Sequence, residues 1–131
     1  MKKENQEKLF AKYPEIFSDR SLPKEQSLMC YGFCCGDGWY DLIDNLCQDI
    51  AIYCENNNLK KPKAAQVKEK FGGLRFYIYG GDDEIYNMIS KAEKNSYKTC
   101  SGCGVGLDIK DKDRNYFLKT LCENCKEKKC R

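Results

Sequence analysis

Ten cysteines and no histidine among 131 residues define the chemistry open to this chain. Without an imidazole there is no Ser-His or Cys-His pair, and a zinc site must be built from sulfur or carboxylate. Cys100 and Cys103 form one Cys-x2-Cys pair, and Cys122 and Cys125 form another after 18 intervening residues. Each pair can place two thiolates on one ion from a tight knuckle, and Gly102, Gly104 and Gly106 relieve crowding there. The expectation is one structural Zn²⁺ on Cys100, Cys103, Cys122 and Cys125. Four protein ligands close the coordination sphere, so such a metal supports the fold and does not activate water. Cys30, Cys34, Cys35, Cys47, Cys54 and Cys130 remain. They read as buried free thiols. The other reading is a second metal held by Cys30, Cys34 or Cys35 with Cys47 or Cys54, which share a helix face. A thiol nucleophile here would need a lysine, an arginine or a helix N-terminus to activate it.

A second set of candidates lies in Ala65–Gly81, AQVKEKFGGLRFYIYGG. Two alternating runs flank Gly72-Gly73, which reads as a two-residue hairpin turn. That turn pairs Phe71 with Leu74, Lys70 with Arg75, Glu69 with Phe76, Lys68 with Tyr77 and Val67 with Ile78. One face then carries Val67, Phe71, Leu74, Phe76 and Ile78, with Glu69 as an intruder. The other carries Gln66, Lys68, Lys70, Arg75, Tyr77 and Tyr79. Arg75, Lys70 and Lys68 can grip a phosphate or carboxylate, and Tyr77 or Trp39 can offer a ring to a base. The same residues also suit a plain solvated face. Glu69 is either paired with a cation or solvated, or it is a buried carboxylate that orients Arg75 or a ligand. Gly36-Asp37-Gly38 puts free backbone N–H groups at a helix start, which adds Asp37 to the ligand candidates. The plainer reading is a turn with Asp37 as N-cap.

The elements that must position these residues follow from periodicity. A short helix spans 3–13 and stops at Pro14, and Ser27–Phe33 reads as a strand in which Gly32 marks a bulge or close approach. A long helix runs over 39–56 with Trp39, Leu42, Ile43, Leu46, Ile50 and Tyr53 along one stripe. After the hairpin, Asp82 or Asp83 caps a helix over 83–95 with Ile85, Met88, Ile89 and Ala92 inward. Asn115–Leu121 reads as a strand leading to the second knuckle, and Lys126–Arg131 as a frayed basic tail. The fold class is therefore α+β. A helix and hairpin domain occupies 1–96, and a zinc-ribbon-like module with the four paired cysteines occupies 97–131. Trp39 opens the apolar stripe and so also fits the core. The N-terminal MKKENQEKLF has charges but no apolar segment behind them, and no long apolar run occurs anywhere. A cytoplasmic protein without membrane contact is the expectation. A net charge of +3 is too small to argue nucleic-acid binding by itself.

The combination CGDGWYDLIDNLC, QVKEKFGGLRFYIYGGDDE, AEKNSYKTCSGCGVG and TLCENC resembles a family of small bacteriophage and prophage proteins. The resemblance covers most of Met29–Cys125. In that family the last ligand position is often histidine, and Cys125 preserves metal binding here. The resemblance implies a phage-borne accessory protein acting in the host cytoplasm. By context it implies an anti-defence sponge that sequesters a nucleotide immune signal. The expected function is non-catalytic capture of a small anionic, nucleotide-like ligand. Alternatively the chain is a zinc-ribbon adaptor for nucleic acid or protein, its basic tail contacting phosphates. A hydrolase using Asp37, Asp41, Asp82 and Asp83 with a divalent ion ranks last, because those acids also suit helix caps and a solvated face. Either a monomer or a homo-oligomer fits the sequence.

Overall fold

A computed structural model of the protein describes residues 1–107 and 120–128. Most of the strand expected over Asn115–Leu121, the end of the basic tail and Cys130 lie outside them. The fold is α+β: α1 (Lys3–Lys12), β1 (Phe33–Cys34), α2 (Tyr40–Asn56), β2 (Lys63–Lys70), β3 (Gly73–Tyr79), α3 (Asp83–Ser96) and a short α4 (Glu123–Lys128). The three strands lie in the order β1-β2-β3, the first pair parallel and the hairpin antiparallel. No helix among the described residues is long and apolar enough to cross a membrane.

The expected strand over Ser27–Phe33 is corrected. Ser27 caps a single 3-10 turn at Leu28–Tyr31, its hydroxyl accepting from the Met29 N–H at 3.2 Å. Only Phe33 and Cys34 then pair, opposite Val67 and Lys68. Gly32 does mark a close approach: the Gln6 side chain fills the space a β-carbon would take, and its Oε1 accepts the Phe33 N–H at 3.1 Å.

The hairpin is where expected, but its turn sits one residue earlier. Lys70 pairs with Gly73, Glu69 with Leu74, Lys68 with Arg75 and Val67 with Phe76. The loop is thus Phe71-Gly72, with φ of 53° and 79°. Two successive left-handed residues make the mirror-image turn that matches strand twist. Gly73 is needed in the strand instead, because a β-carbon there would run into the Tyr97 ring. The shift leaves every strand residue on its expected face, since both ends of each pairing move in step. Phe71 is the exception: it leaves the apolar face and is half exposed at the tip.

Val67, Leu74 and Phe76 join one core with Ile43, Leu46 and Ile50 of α2 and Ile85 and Ile89 of α3. An aromatic cluster reaches it from the N-terminal segment, where Phe17 meets Phe33 edge-on at 5.1 Å and Phe76 at 6.3 Å. Helix α3 lies against the outer edge of β3 and satisfies it. The Leu74 N–H donates to the Ser96 hydroxyl at 2.9 Å, and the Phe76 N–H lies near enough to the Glu93 carboxyl to favour its ionised form. An edge strand so covered cannot template further pairing along that stretch. Asp82 caps α3 through the Ile85 N–H at 3.0 Å and accepts the Tyr53 hydroxyl of α2 at 2.6 Å.

Phe76 is 3% exposed and Phe71 is 50% exposed, and this sets their costs apart. Phe76→Ala should lower unfolding free energy by about 3–5 kcal/mol. Phe71→Asn should leave it unchanged or raise it by up to about 1 kcal/mol, because Asn tolerates the left-handed conformation. Urea denaturation of both variants checks this; a destabilised Phe71→Asn beside an unaffected Phe76→Ala would restore the Gly-Gly turn.

Candidate functional site

The four cysteines of the two knuckles converge. Their sulfurs all lie within 4.8 Å of one another, and Cys103 Sγ is 3.8 Å from Cys122 Sγ. A tetrahedral ion with metal–sulfur bonds of about 2.3 Å requires sulfur–sulfur edges of about 3.8 Å. Cys100 is the buried corner and Cys103 the exposed one. The Cys100 sulfur accepts N–H groups from Cys103 at 3.5 Å and Cys122 at 3.3 Å. Burial raises the Cys100 thiol, but the N–H groups of Cys122, Cys103 and Gly102 outweigh it and bring it down to about 6. Burial and the neighbouring sulfurs push Cys125 up to about 12. The cluster is therefore a closed four-sulfur site. Its geometry fits a tetrahedral ion.

The first knuckle rests on the Gly36-Asp37-Gly38 turn. The Gly38 N–H donates to Ser101 O at 2.9 Å, and a β-carbon at Gly38 would overlap the backbone of Cys100 and its neighbours. Trp39 is fully buried, and its indole N–H donates to Thr99 O at 2.9 Å. That overturns Trp39 as a ligand-stacking ring: no face of it is open. Asp37 is corrected too. Its carboxylate turns away from its own helix and accepts the Lys2 N–H at 2.7 Å and the Asn5 amide at 3.0 Å, capping α1.

The second knuckle is tied to the hairpin. Thr120 donates its N–H to Glu69 Oε2 at 2.8 Å and its hydroxyl to Gly72 O. Glu69 is therefore engaged by the backbone of the second knuckle. Its carboxylate receives the chain that delivers Cys122. Nothing in the residue types of Thr120 or Glu69 pairs them in advance, because they are 51 positions apart.

On the hairpin's other face the structure brings Lys68 and Arg75 together as cross-strand partners, with Lys70 diagonal to Arg75. The expected Lys70–Arg75 and Lys68–Tyr77 pairs fall with the register; Tyr77 faces Gln66. Both terminal nitrogens of Arg75 donate to the Tyr97 hydroxyl at 3.3 Å, and one donates to Leu74 O at 3.1 Å. That hydrogen bond to Tyr97 raises the guanidinium further above its ordinary value. A guanidinium has five donors, so some remain for a ligand. Tyr77 and Tyr79 are largely exposed, and Lys70 lies 5.5 Å over the Phe71 ring. Tyr97, which sequence reasoning missed, is the residue that links this face to the knuckle three positions later.

The remaining candidates separate. Cys35, Cys47 and Cys54 are buried, whereas Cys30 and Cys34 are exposed, which corrects the expectation of burial for those two. Among the described residues the one group of three or more potential ligands brought together is the four-cysteine cluster. A cavity of about 600 Å³ lies between α2 and α3 around Leu42, Leu46, Met88 and Ala92, away from the basic face. Compared with protein-family models, curated proteins and solved structures, the chain matches none, and the resemblance to phage proteins draws no support from them.

Asp37 has a testable role. Partial burial raises its carboxyl, but the Lys2 N–H and the Asn5 amide more than offset that and hold it below 3.8. A depressed carboxylate stabilises the fold above the unfolded value and loses that effect as pH falls through the folded one. Asp37→Ala should cost about 1 kcal/mol at neutral pH, as a lost N-cap does. The gap from wild type should close below pH 3.8, measured by urea denaturation across pH.

Proposed function

We propose that this chain is a zinc-stapled binding protein that captures a small anionic, nucleotide-like ligand without converting it. The observation that carries the reading is the link between the two sites. Arg75, paired with Lys68 across the hairpin, is held by Tyr97, which leads directly into the four-sulfur cluster. Zinc is the ion that suits four thiolates in a closed tetrahedron. It would act only as a staple, since no coordination position is left for substrate.

Arg75 and Lys68 would then face a phosphate with charge-assisted hydrogen bonds, each worth on the order of 1.5–3 kcal/mol. Tyr77 is exposed two residues along the same strand and can stack on an attached ring. Asp37 and Asp82, two of the four acids offered for hydrolysis, are occupied at helix starts. Capture without conversion is what a sponge for a nucleotide signal would do.

Native mass spectrometry should find one zinc per chain, lost in Cys100→Ser. Removing zinc with a chelator should shift the emission of Trp39, the chain's one tryptophan, because its indole bonds to Thr99 beside the knuckle. Arg75→Ala should abolish calorimetric binding of cyclic dinucleotides or ADP-ribose derivatives, whichever the wild type holds, while zinc content stays at one. Ligand recovered chemically altered would make the protein an enzyme. Binding confined to oligonucleotides, and falling steeply with salt, would make it a nucleic-acid adaptor.

A further inference from the structure

Beside the basic face, β3 and α3 enclose a cleft of about 340 Å³ whose lining includes Tyr77, Ile78, Tyr86, Ser90 and Glu93. Two combs of side chains face each other across it. Tyr86, Ser90 and Glu93 recur at i, i+4 and i+7 on α3, so they share one face of that helix. Tyr77 and Ile78 line it from β3, and Arg75 lies outside the lining, two residues from Tyr77 on the same face of the strand. Tyr86 is 50% exposed and Tyr77 44%, so both rings are open to a guest, while Phe76 and Ile89 are buried beneath.

We propose that this cleft is the base-binding half of the nucleotide site and that Glu93 selects a guanine-type base; this rests on the nucleotide reading above. Glu93 is a half-buried carboxylate that lines the cleft from α3. Burial raises its carboxyl, and the Arg75 charge and the Phe76 N–H oppose that rise. A cationic guest would be repelled by Arg75. A neutral ring with N–H donors would not. Guanine presents two neighbouring donors, N1–H and N2–H, which one carboxylate can accept together. Adenine places an acceptor, N1, beside its 6-amino donor, and that acceptor would face the carboxylate's lone pairs unpaired. The phosphate end is then Arg75 and Lys68, and the ring end is Tyr77, Tyr86 and Glu93.

The test is calorimetry on the zinc-loaded full chain with guanosine, inosine and adenosine 5′-monophosphates. The guanosine nucleotide should bind at least about tenfold tighter than the adenosine one, with inosine, which lacks the 2-amino group, between them. Glu93→Gln keeps the size of the side chain and one carbonyl oxygen, so zinc content and melting temperature should hold while the preference disappears. Tyr86→Ala alters an exposed ring and should weaken all three nucleotides alike; unchanged affinity in that variant would overturn the cleft as the ring site. A preference that survives Glu93→Gln, or adenosine bound as tightly as guanosine, overturns the role of Glu93. Equal binding of all three that is lost in Arg75→Ala overturns base selection and leaves phosphate capture standing. Binding of none overturns both.

Discussion

Four thiolates share a volume a few ångströms across only if a cation offsets their mutual repulsion, and the C-terminal part of this fold depends on that constraint. The N–H groups on Cys100 lower that thiol, whereas burial and then the neighbouring sulfurs raise Cys125. An ion at the centre of four sulfurs would favour the ionised form of each. The described residues from Thr99 to Cys103 and from Thr120 to Cys125 bury only Cys100, Ser101, Thr120 and Leu121. The cluster and the hydrogen bonds that seat it on Gly38 and on the hairpin join these described residues to the rest of the fold.

Those bonds explain why two features that look like ligand sites are structural. A glycine-aspartate-glycine turn before a helix resembles an anion cradle, yet here the absence of a β-carbon at Gly38 admits the backbone of the first knuckle. A lone glutamate among apolar strand residues resembles a catalytic or ligand-orienting carboxylate. Glu69 instead accepts the N–H of Thr120, a donor that burial at 4% exposure would otherwise leave unsatisfied. Both are polar or small groups placed for a partner within the chain.

The legible parts of the sequence were those governed by local periodicity and spacing. Helices α2 and α3, the Asp82 cap and the sorting of hairpin side chains between faces follow from patterns within about a dozen residues. The spacing of the four paired cysteines announced their cluster, because two such pairs set one knuckle apart are what a tetrahedral ion asks of a chain. What escaped was decided by distant contacts. The hairpin turn falls at Phe71-Gly72, and Gly73 joins the strand where the Tyr97 ring packs over it. Ser27–Phe33 failed as a strand because Ser27 found a local N–H and Gln6 took the one at Phe33. Trp39 opened an apolar stripe and so fitted core and ligand site equally well; only the Thr99 carbonyl separates the two.

The register correction also alters the electrostatics of the basic face. With Lys70 opposite Arg75, two cations would crowd the exposed tip. With Lys68 opposite Arg75, the pair moves back from the tip, toward the part of β3 covered by α3, and both side chains are half-buried. Like charges directly across a sheet destabilise it. Here the cost is eased because Arg75 turns to the Tyr97 hydroxyl and the Leu74 carbonyl and feels the Glu93 carboxylate. A guanidinium hydrogen-bonded to two groups has already lost part of its rotamer freedom, so an anion meeting it would have less ordering left to impose. Tyr97 owes its own place to the end of α3 on one side and to the knuckle at Cys100 on the other. Preorganisation of the guanidinium and closure of the sulfur cluster are therefore two consequences of the same short stretch of chain.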